Sequence, residues 1–233
     1  MRVAVVTVGD ELLVGDTVNT NAAWLGHELT DTGATVRRVV TIPDDEAEIA
    51  ATVADLASTF DAVVVTGGLG PTHDDRTMAG VAAAFDRQLV DHPDAIRWFE
   101  AESDYAADDL DPGTTQLPEG GRFLPNEVGV APGVVVENVY VLPGVPEEMK
   151  TMFATVVDEF DGPRRYVEIV LADEPESSLV DRIDAVRNRF DVTVGSYPGD
   201  HVRLKLEGVD EATVTRAANW LRDRVDQVPE TEG

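Results

Sequence analysis

The chain has 233 residues, 45 of them acidic and 18 basic, for a net charge of -27, and it contains no cysteine. That length suits one well-buried domain with a smaller companion, and the missing cysteines exclude disulfides and thiolate metal sites. A surface this acidic repels nucleic acid and anionic membranes, and no apolar run approaches the roughly 18–20 residues of a membrane span.

Val3–Val8 is a short continuous apolar run that predicts a first strand covered on both faces, and the N-terminus does not read as a secretion signal. A helix is expected over about Asn21–Thr32, stopped by Gly33, and then a second strand, Thr35–Ile42. Ile49, Val53, Leu56 and Phe60 recur at helical spacing on one face of the next helix. Asp61–Thr66 is a third strand running straight into a glycine turn, with a helix expected over about Asp74–Phe85. This alternation with short connections predicts an α/β fold with a parallel sheet and helices on its faces.

Asp91 to about Asp109 reads as a strongly acidic helix and is followed by a turn-rich passage. The VVV and VYVL segments, separated by Glu137-Asn138, read as a hairpin. Pro146 opens a helix expected to run to about Phe160, with Glu147 and Glu148 in its favoured first turn. Asp161-Gly162-Pro163 marks a domain boundary, dividing the chain into residues 1–162 and 163–233. The second part reads as βαββα, a small α+β domain. Acid excess spread over the whole chain, with ordinary apolar content, points to a cytoplasmic protein kept soluble in concentrated salt.

The densest signal is TGGLGPTHDDRT, Thr66–Thr77. A strand ending in Gly67, Gly68 and Gly70 sets a glycine turn at the carboxyl edge of a parallel sheet, where open α/β folds bind ligands. The following helix N-terminus favours an anion. Thr72 to Asp75 also matches a capping box, and His73 fits a surface position. Asp74 and Asp75 beside an anion site make physical sense if a divalent cation (Mg, Mn or Co) sits between carboxylates and phosphate. Two other loops at the same edge carry acids: Gly9, Asp10 and Glu11, with Asn19 and Asn21 beyond them, and Asp44 with Asp45. For Asp44 and Asp45, N-capping of the next helix is the competing explanation. Three acid-bearing loops after three parallel strands converge on one metal–phosphate site.

These segments carry a resemblance. GDELLVGDTVNTN, IPDDEAEI, TGGLGPTHDDRT, NEVGVAPG and VLPGVPEEM, in this order, resemble the N-terminal domain of the CinA (competence/damage-inducible protein) family. It belongs to the molybdopterin-binding superfamily with MoaB, MogA and the third domain of MoeA. The resemblance covers about residues 1–160, and the βαββα unit is similar to the small domain that follows in CinA. It implies a three-layer αβα fold binding a nucleotide or pterin phosphate, with catalytic acids at Asp44 and Asp75 and a metal held by Asp44, Asp74 and Asp75. The binding positions it implies are Gly9, Glu11, Asn21, Gly67, Gly68, Gly70, Thr72, Thr77, Asn126, Gly129, Pro143 and Gly144. It further implies metal-dependent hydrolysis of pyrophosphates such as ADP-ribose or FAD, or, as the alternative, binding of molybdopterin or its nucleotide without hydrolysis. A homo-oligomer, dimer or trimer, is expected, and the nicotinamide-mononucleotide deamidase activity of full-length CinA is not. Glu127 and Val130 depart from the pattern, which has proline and a hydroxyl residue there, so specificity is expected to differ. Ser177, Ser178, Tyr197 and Pro198 resemble family positions but are turn and cap formers.

Overall fold

The computed structural model describes residues 1–70, 75–101, 113–226 and 228. It divides into two compact units, residues 1–162 and 163–233. In the first unit the chain runs β1 (Arg2–Val8), α1 (Asp10–Leu13), α2 (Thr20–Asp31), β2 (Thr35–Ile42), α3 (Glu46–Thr59), β3 (Ala62–Thr66) and α4 (Thr77–Ala84). It continues through β4 (Leu89–Asp91), α5 (Pro93–Ala101), β5 (Gln116–Pro118), β6 (Arg122–Leu124), β7 (Gly133–Val136), β8 (Val139–Leu142) and α6 (Pro146–Ala154).

Six strands form one sheet in the order β2-β1-β3-β8-β7-β6. β1 pairs in parallel with both β2 and β3, and β3 with β8; at the far end β7 runs against the others, so its pairings with β8 and β6 are antiparallel. The aliphatic run of β1 is buried throughout because each pleat faces a different layer of helices. Ala4, Val6 and Val8 pack with Ile49, Val53 and Leu56 of α3 and Val81 of α4. Val3 and Val5 face Leu25 and Leu29 of α2 and Met149, Met152 and Phe153 of α6. The result is a three-layer αβα unit on a mostly parallel sheet. From β1 the chain crosses to β2 on one side, and from β2 it returns to β3 on the other. The carboxyl ends of β1 and β3 therefore flank the point where the winding reverses, the expected place for a ligand crevice.

Several boundaries differ from the periodicity reading. α4 starts at Thr77, not Asp74, with Arg76 as an N-cap that makes no side-chain capping bond, so no capping box stands at that helix start. α6 ends at Ala154 and gives way to a 3₁₀ turn, Val157–Glu159, where the Thr155 hydroxyl turns back to the Met152 carbonyl. α5 covers Pro93–Ala101, and the rest of the acidic helix expected to Asp109 lies outside the described residues. The β7–β8 hairpin turns at Glu137, whose φ of 52° is left-handed.

The second unit runs β9 (Tyr166–Ala172), α7 (Glu176–Arg189), β10 (Thr193–Tyr197), β11 (Val202–Gly208) and α8 (Glu211–Arg222). Its antiparallel sheet has the order β10-β11-β9. Val170, Leu204 and Leu206 of the sheet pack on Leu179 and Val186 of α7 and Leu221 of α8, making a separate core. Ser178, inside the first turn of α7, donates its hydroxyl to the Pro175 carbonyl and does not cap the helix. Among the described residues no helix is long and apolar enough to cross a membrane.

Candidate functional site

The loops after β1, β2, β3 and β8 leave the same edge of the sheet and enclose a cavity of about 260 Å³. Its walls include Gly9, Glu11, Asn21, Asp44, Gly67, Gly68, Asp75 and Gly144, drawn from all four loops. Asp44 and Asp45, adjacent in the chain, take different roles here. Asp45 caps α3, accepting from the Glu48 amide at 2.9 Å. Asp44 does not cap the helix; one of its oxygens accepts from the Asp10 amide at 3.1 Å and the residue lines the cavity. Burial holds the Asp44 carboxyl above the usual range, and the neighbouring charges of Asp10, Glu11 and Asp75 push it the same way.

The glycine turn is shaped by close approach. Gly67 has φ of 105°, and a β-carbon there would run into the Val8 carbonyl of β1. Its amide donates to the Leu142 carbonyl at 3.3 Å, so that N–H is engaged within the sheet edge. Gly68, with φ of 63°, is also left-handed, and a β-carbon there would lie 2.5 Å from Thr77 Oγ1 and 3.0 Å from Asp44 Oδ1. Gly144 packs against Gly67 backbone to backbone, which ties the β8 loop to the glycine turn.

Polar residues at strand ends complete the walls. The Thr66 hydroxyl donates to the Pro143 carbonyl at 2.6 Å. Asn21 Nδ2 donates to Gly144 O at 2.7 Å and to Thr66 Oγ1 at 3.3 Å. Asn19 caps α2 and donates to Thr7 Oγ1 at 2.8 Å. Thr7, Thr17, Val18 and Thr66 line the cavity too, although the motifs did not single them out. A threonine at or next to the carboxyl end of an aliphatic strand, Thr7 in β1 and Thr66 in β3, was the available signal for two of them.

Other expected positions lie elsewhere. Asn126 is buried with its amide spent inside its own loop: it donates to Ala131 O and Glu148 Oε2 and accepts from the Val128 and Gly129 amides. Neither Asn126 nor Gly129 is on the cavity wall, because the side chain of Glu148 packs against both. Glu127, on the same loop, is exposed and is not on the wall either. Pro143 contributes its carbonyl behind the wall, and Thr77 lies buried under Gly68. Gly70 sits against the Asp75 carboxylate. Thr72, His73 and Asp74 lie outside the described residues.

A family model described as probable molybdopterin binding domain matches residues 4–161. The chain belongs to the molybdopterin-binding domain family. A second model, described as FAD synthase, middle domain, matches residues 164–229. A protein of Archaeoglobus fulgidus is 39% identical over 96% of this chain and 97% of its own length. A CinA-like protein of Citrifermentans bemidjiense is 34% identical over 97% of this chain, which spans 58% of that relative. The crystal structure of the protein CinA, of unknown function, from Thermoplasma acidophilum aligns with a TM-score of 0.63 at 38% identity. That alignment covers 68% of this chain and 97% of the other. The molybdopterin-binding domain described here is therefore CinA-like in sequence and fold.

Proposed function

We propose that the cavity binds nucleotide pyrophosphates of the ADP-ribose or FAD type and hydrolyses the anhydride with the help of a divalent cation, Mg²⁺, Mn²⁺ or Co²⁺. The observation that carries this reading is the meeting of Glu11, Asp44 and Asp75, from three separate chain segments, with the Gly68 turn around one cavity. Mutually repelling carboxylates at a phosphate-sized crevice are at odds with an anionic ligand unless positive charge joins them. Among the described residues no three acids or histidines gather closely enough to hold a metal on their own. The chemistry still fits Mg²⁺, which commonly takes one or two protein carboxylates and completes its shell with phosphate oxygens and water.

Asp44 and Asp75 would hold the cation, with Asp74 as a further ligand. Once bound, the cation would neutralise phosphate charge and lower the pKa of a water. The left-handed turn at Gly68 lets the backbone approach the phosphate without a side chain between them. A carboxylate of the cluster takes a proton from the attacking water as its oxygen bonds to one phosphorus and the bridging P–O bond breaks. From ADP-ribose this releases AMP and ribose 5-phosphate.

The test is incubation of the purified protein with ADP-ribose or FAD and each cation in molar salt. AMP release is expected, with Asp75→Ala folding normally and losing about 10²-fold in rate, the scale of acid–base catalysis. A variant with full turnover removes this mechanism. The family's description favours a second reading, binding of molybdopterin or its nucleotide without hydrolysis. Tight pterin binding with no AMP release from any substrate supports that one instead.

A further inference from the structure

In the second unit, α7 and α8 pack on the face of the sheet that carries Val170, Leu204 and Leu206. On the opposite face the alternation of β9 turns Val167, Ile169 and Leu171 outward, 44%, 44% and 46% exposed. Register sets them beside Glu207, Lys205 and Arg203 of β11, and Tyr197 of β10, 46% exposed, lies next to Arg203. Single exposed apolar residues are ordinary, but three in line on one strand with an aromatic ring on the same face form a patch.

The two outer strands of this sheet engage backbone groups within the unit. Arg222 of α8 donates to the Ile169 carbonyl at 3.1 Å, and the Asp173 amide after β9 donates to the Asp226 carbonyl at 2.7 Å. On β10 the Val194 carbonyl accepts from Arg187 of α7 at 2.6 Å. Such contacts blunt an edge against pairing with another chain, so what the sheet offers a partner is its face. Charge states which partner. The chain has 45 acidic and 18 basic residues, yet the charged side chains of this face are Arg203, Lys205 and Glu207, two basic to one acidic. Arg203 lies over the Tyr197 ring, 4.8 Å from its centroid, and Lys205 pairs with Glu207 on its own strand. Over most of so acidic a surface two copies would press acid on acid; on this face they do not. Along β11 the charge also changes sign from Arg203 to Glu207, a pattern that can match itself.

We propose that a second copy of this chain docks on this face, sheet against sheet about a two-fold axis lying across the strands. That axis lays the apolar stripe of one β9 along the other and turns β11 end for end, so the Arg203 end of each copy faces the Glu207 end of its mate. Three strands of about seven residues span roughly 300 Å² per partner. A standard stable interface takes about 800 Å² per partner, so this dimer is weak and reversible, with dissociation on the micromolar scale or above. The proposal does not rest on what the cavity of the first unit binds.

Sedimentation equilibrium of the full chain in molar KCl, loaded from micromolar to millimolar concentration, tests it. The wild-type mass is expected to rise with concentration, and Ile169→Asp to weaken that association about tenfold or more, because it places a charge in the middle of the stripe. Arg203→Glu and Glu207→Arg should each weaken it about threefold, the scale of an exposed ion pair. The two together should recover most of the loss, since the exchanged ends still match across the axis. Ile169 is exposed, so its variant should melt close to wild type; should it fail to fold, Leu171→Ser and the charge exchange decide. A wild-type mass that stays at one chain at every concentration would overturn the proposal and leave the face to some other partner. Any assembly that Ile169→Asp leaves intact would overturn it too, by placing the contact elsewhere on the chain. A double charge variant no tighter than the single ones would exclude the two-fold arrangement.

Discussion

At the scale of single residues, the site is decided by where backbone geometry leaves room. Gly68 holds a left-handed φ of 63° with Thr77 Oγ1 and Asp44 Oδ1 crowding the position of a β-carbon. Gly68→Ala is therefore expected to lower stability by about 1–3 kcal/mol, the usual cost of a non-glycine residue held in such a conformation. It should also abolish ligand binding, because the methyl group fills the space beside both oxygens. Denaturant melts and titration check the two effects separately, and an unchanged melting midpoint would mean that the turn relaxes. The glycine turn and the acids were legible in the sequence because glycine spacing and adjacent carboxylates are local signals. The division of labour between Asp44 and Asp45 was not, since both fit a cap and only the register of α3 assigns Asp45 to it. Asn126 entered as a binding residue only through the family resemblance, and the structure holds its amide within its own loop and on Glu148. Its partner Glu148 lies 22 residues further on, and no local pattern joins the two.

At the scale of elements, the strands of the first unit were plain in the sequence because strands covered on both faces are continuous aliphatic runs. Short edge pieces were not: β4, β5 and β6 have three residues each, too few to show a period. Helix ends followed local hydrogen bonds that the apolar period does not show, as the Thr155 hydroxyl at the early stop of α6 illustrates. In the second unit, one ion pair ties elements together. Glu174, between β9 and α7, takes two hydrogen bonds from Arg182 of α7 and accepts from the Asp226 amide beyond α8. The Arg182 hydrogen bonds hold the Glu174 carboxyl below the usual range. A lowered folded-state pKa means stability that is present above the ordinary glutamate pKa of about 4.3 and lost as pH falls through the folded value. Hydrogen exchange of β9–β11 amides should therefore speed up as pH drops below about 4.3, after correction for the intrinsic rate. Glu174→Gln should start less protected at neutral pH and show a flatter pH dependence. Identical profiles in the two proteins would show that the pair contributes nothing to the unit's stability.

At the scale of the whole molecule, charge outweighs any single contact. The chain carries 45 acidic and 18 basic residues, so most carboxylates have no cation to pair with even if every basic residue is engaged. Their mutual repulsion acts against the compact state and, at low ionic strength, reaches about 10 Å, far enough to couple many surface acids at once. In molar salt that range shrinks to about 3 Å, and the penalty largely disappears. We propose that the chain is adapted to concentrated salt, and this predicts a particular shape of response. The melting temperature should climb steeply as KCl rises from about 0.1 M to 1 M, then flatten as screening saturates. A neutral osmolyte excluded from the surface, such as sucrose, should not reproduce the steep part, because it strengthens burial without screening charge. The carboxylates at the cavity add a local version of the same effect, so Mg²⁺ at millimolar concentration should raise the melting temperature of wild type more than that of Asp44→Asn in low salt. Thermal melts across the KCl series, with and without Mg²⁺, read both. A flat salt response would show that the acidic surface is already neutralised within the fold, and equal Mg²⁺ shifts in the two proteins would remove Asp44 from the cation site.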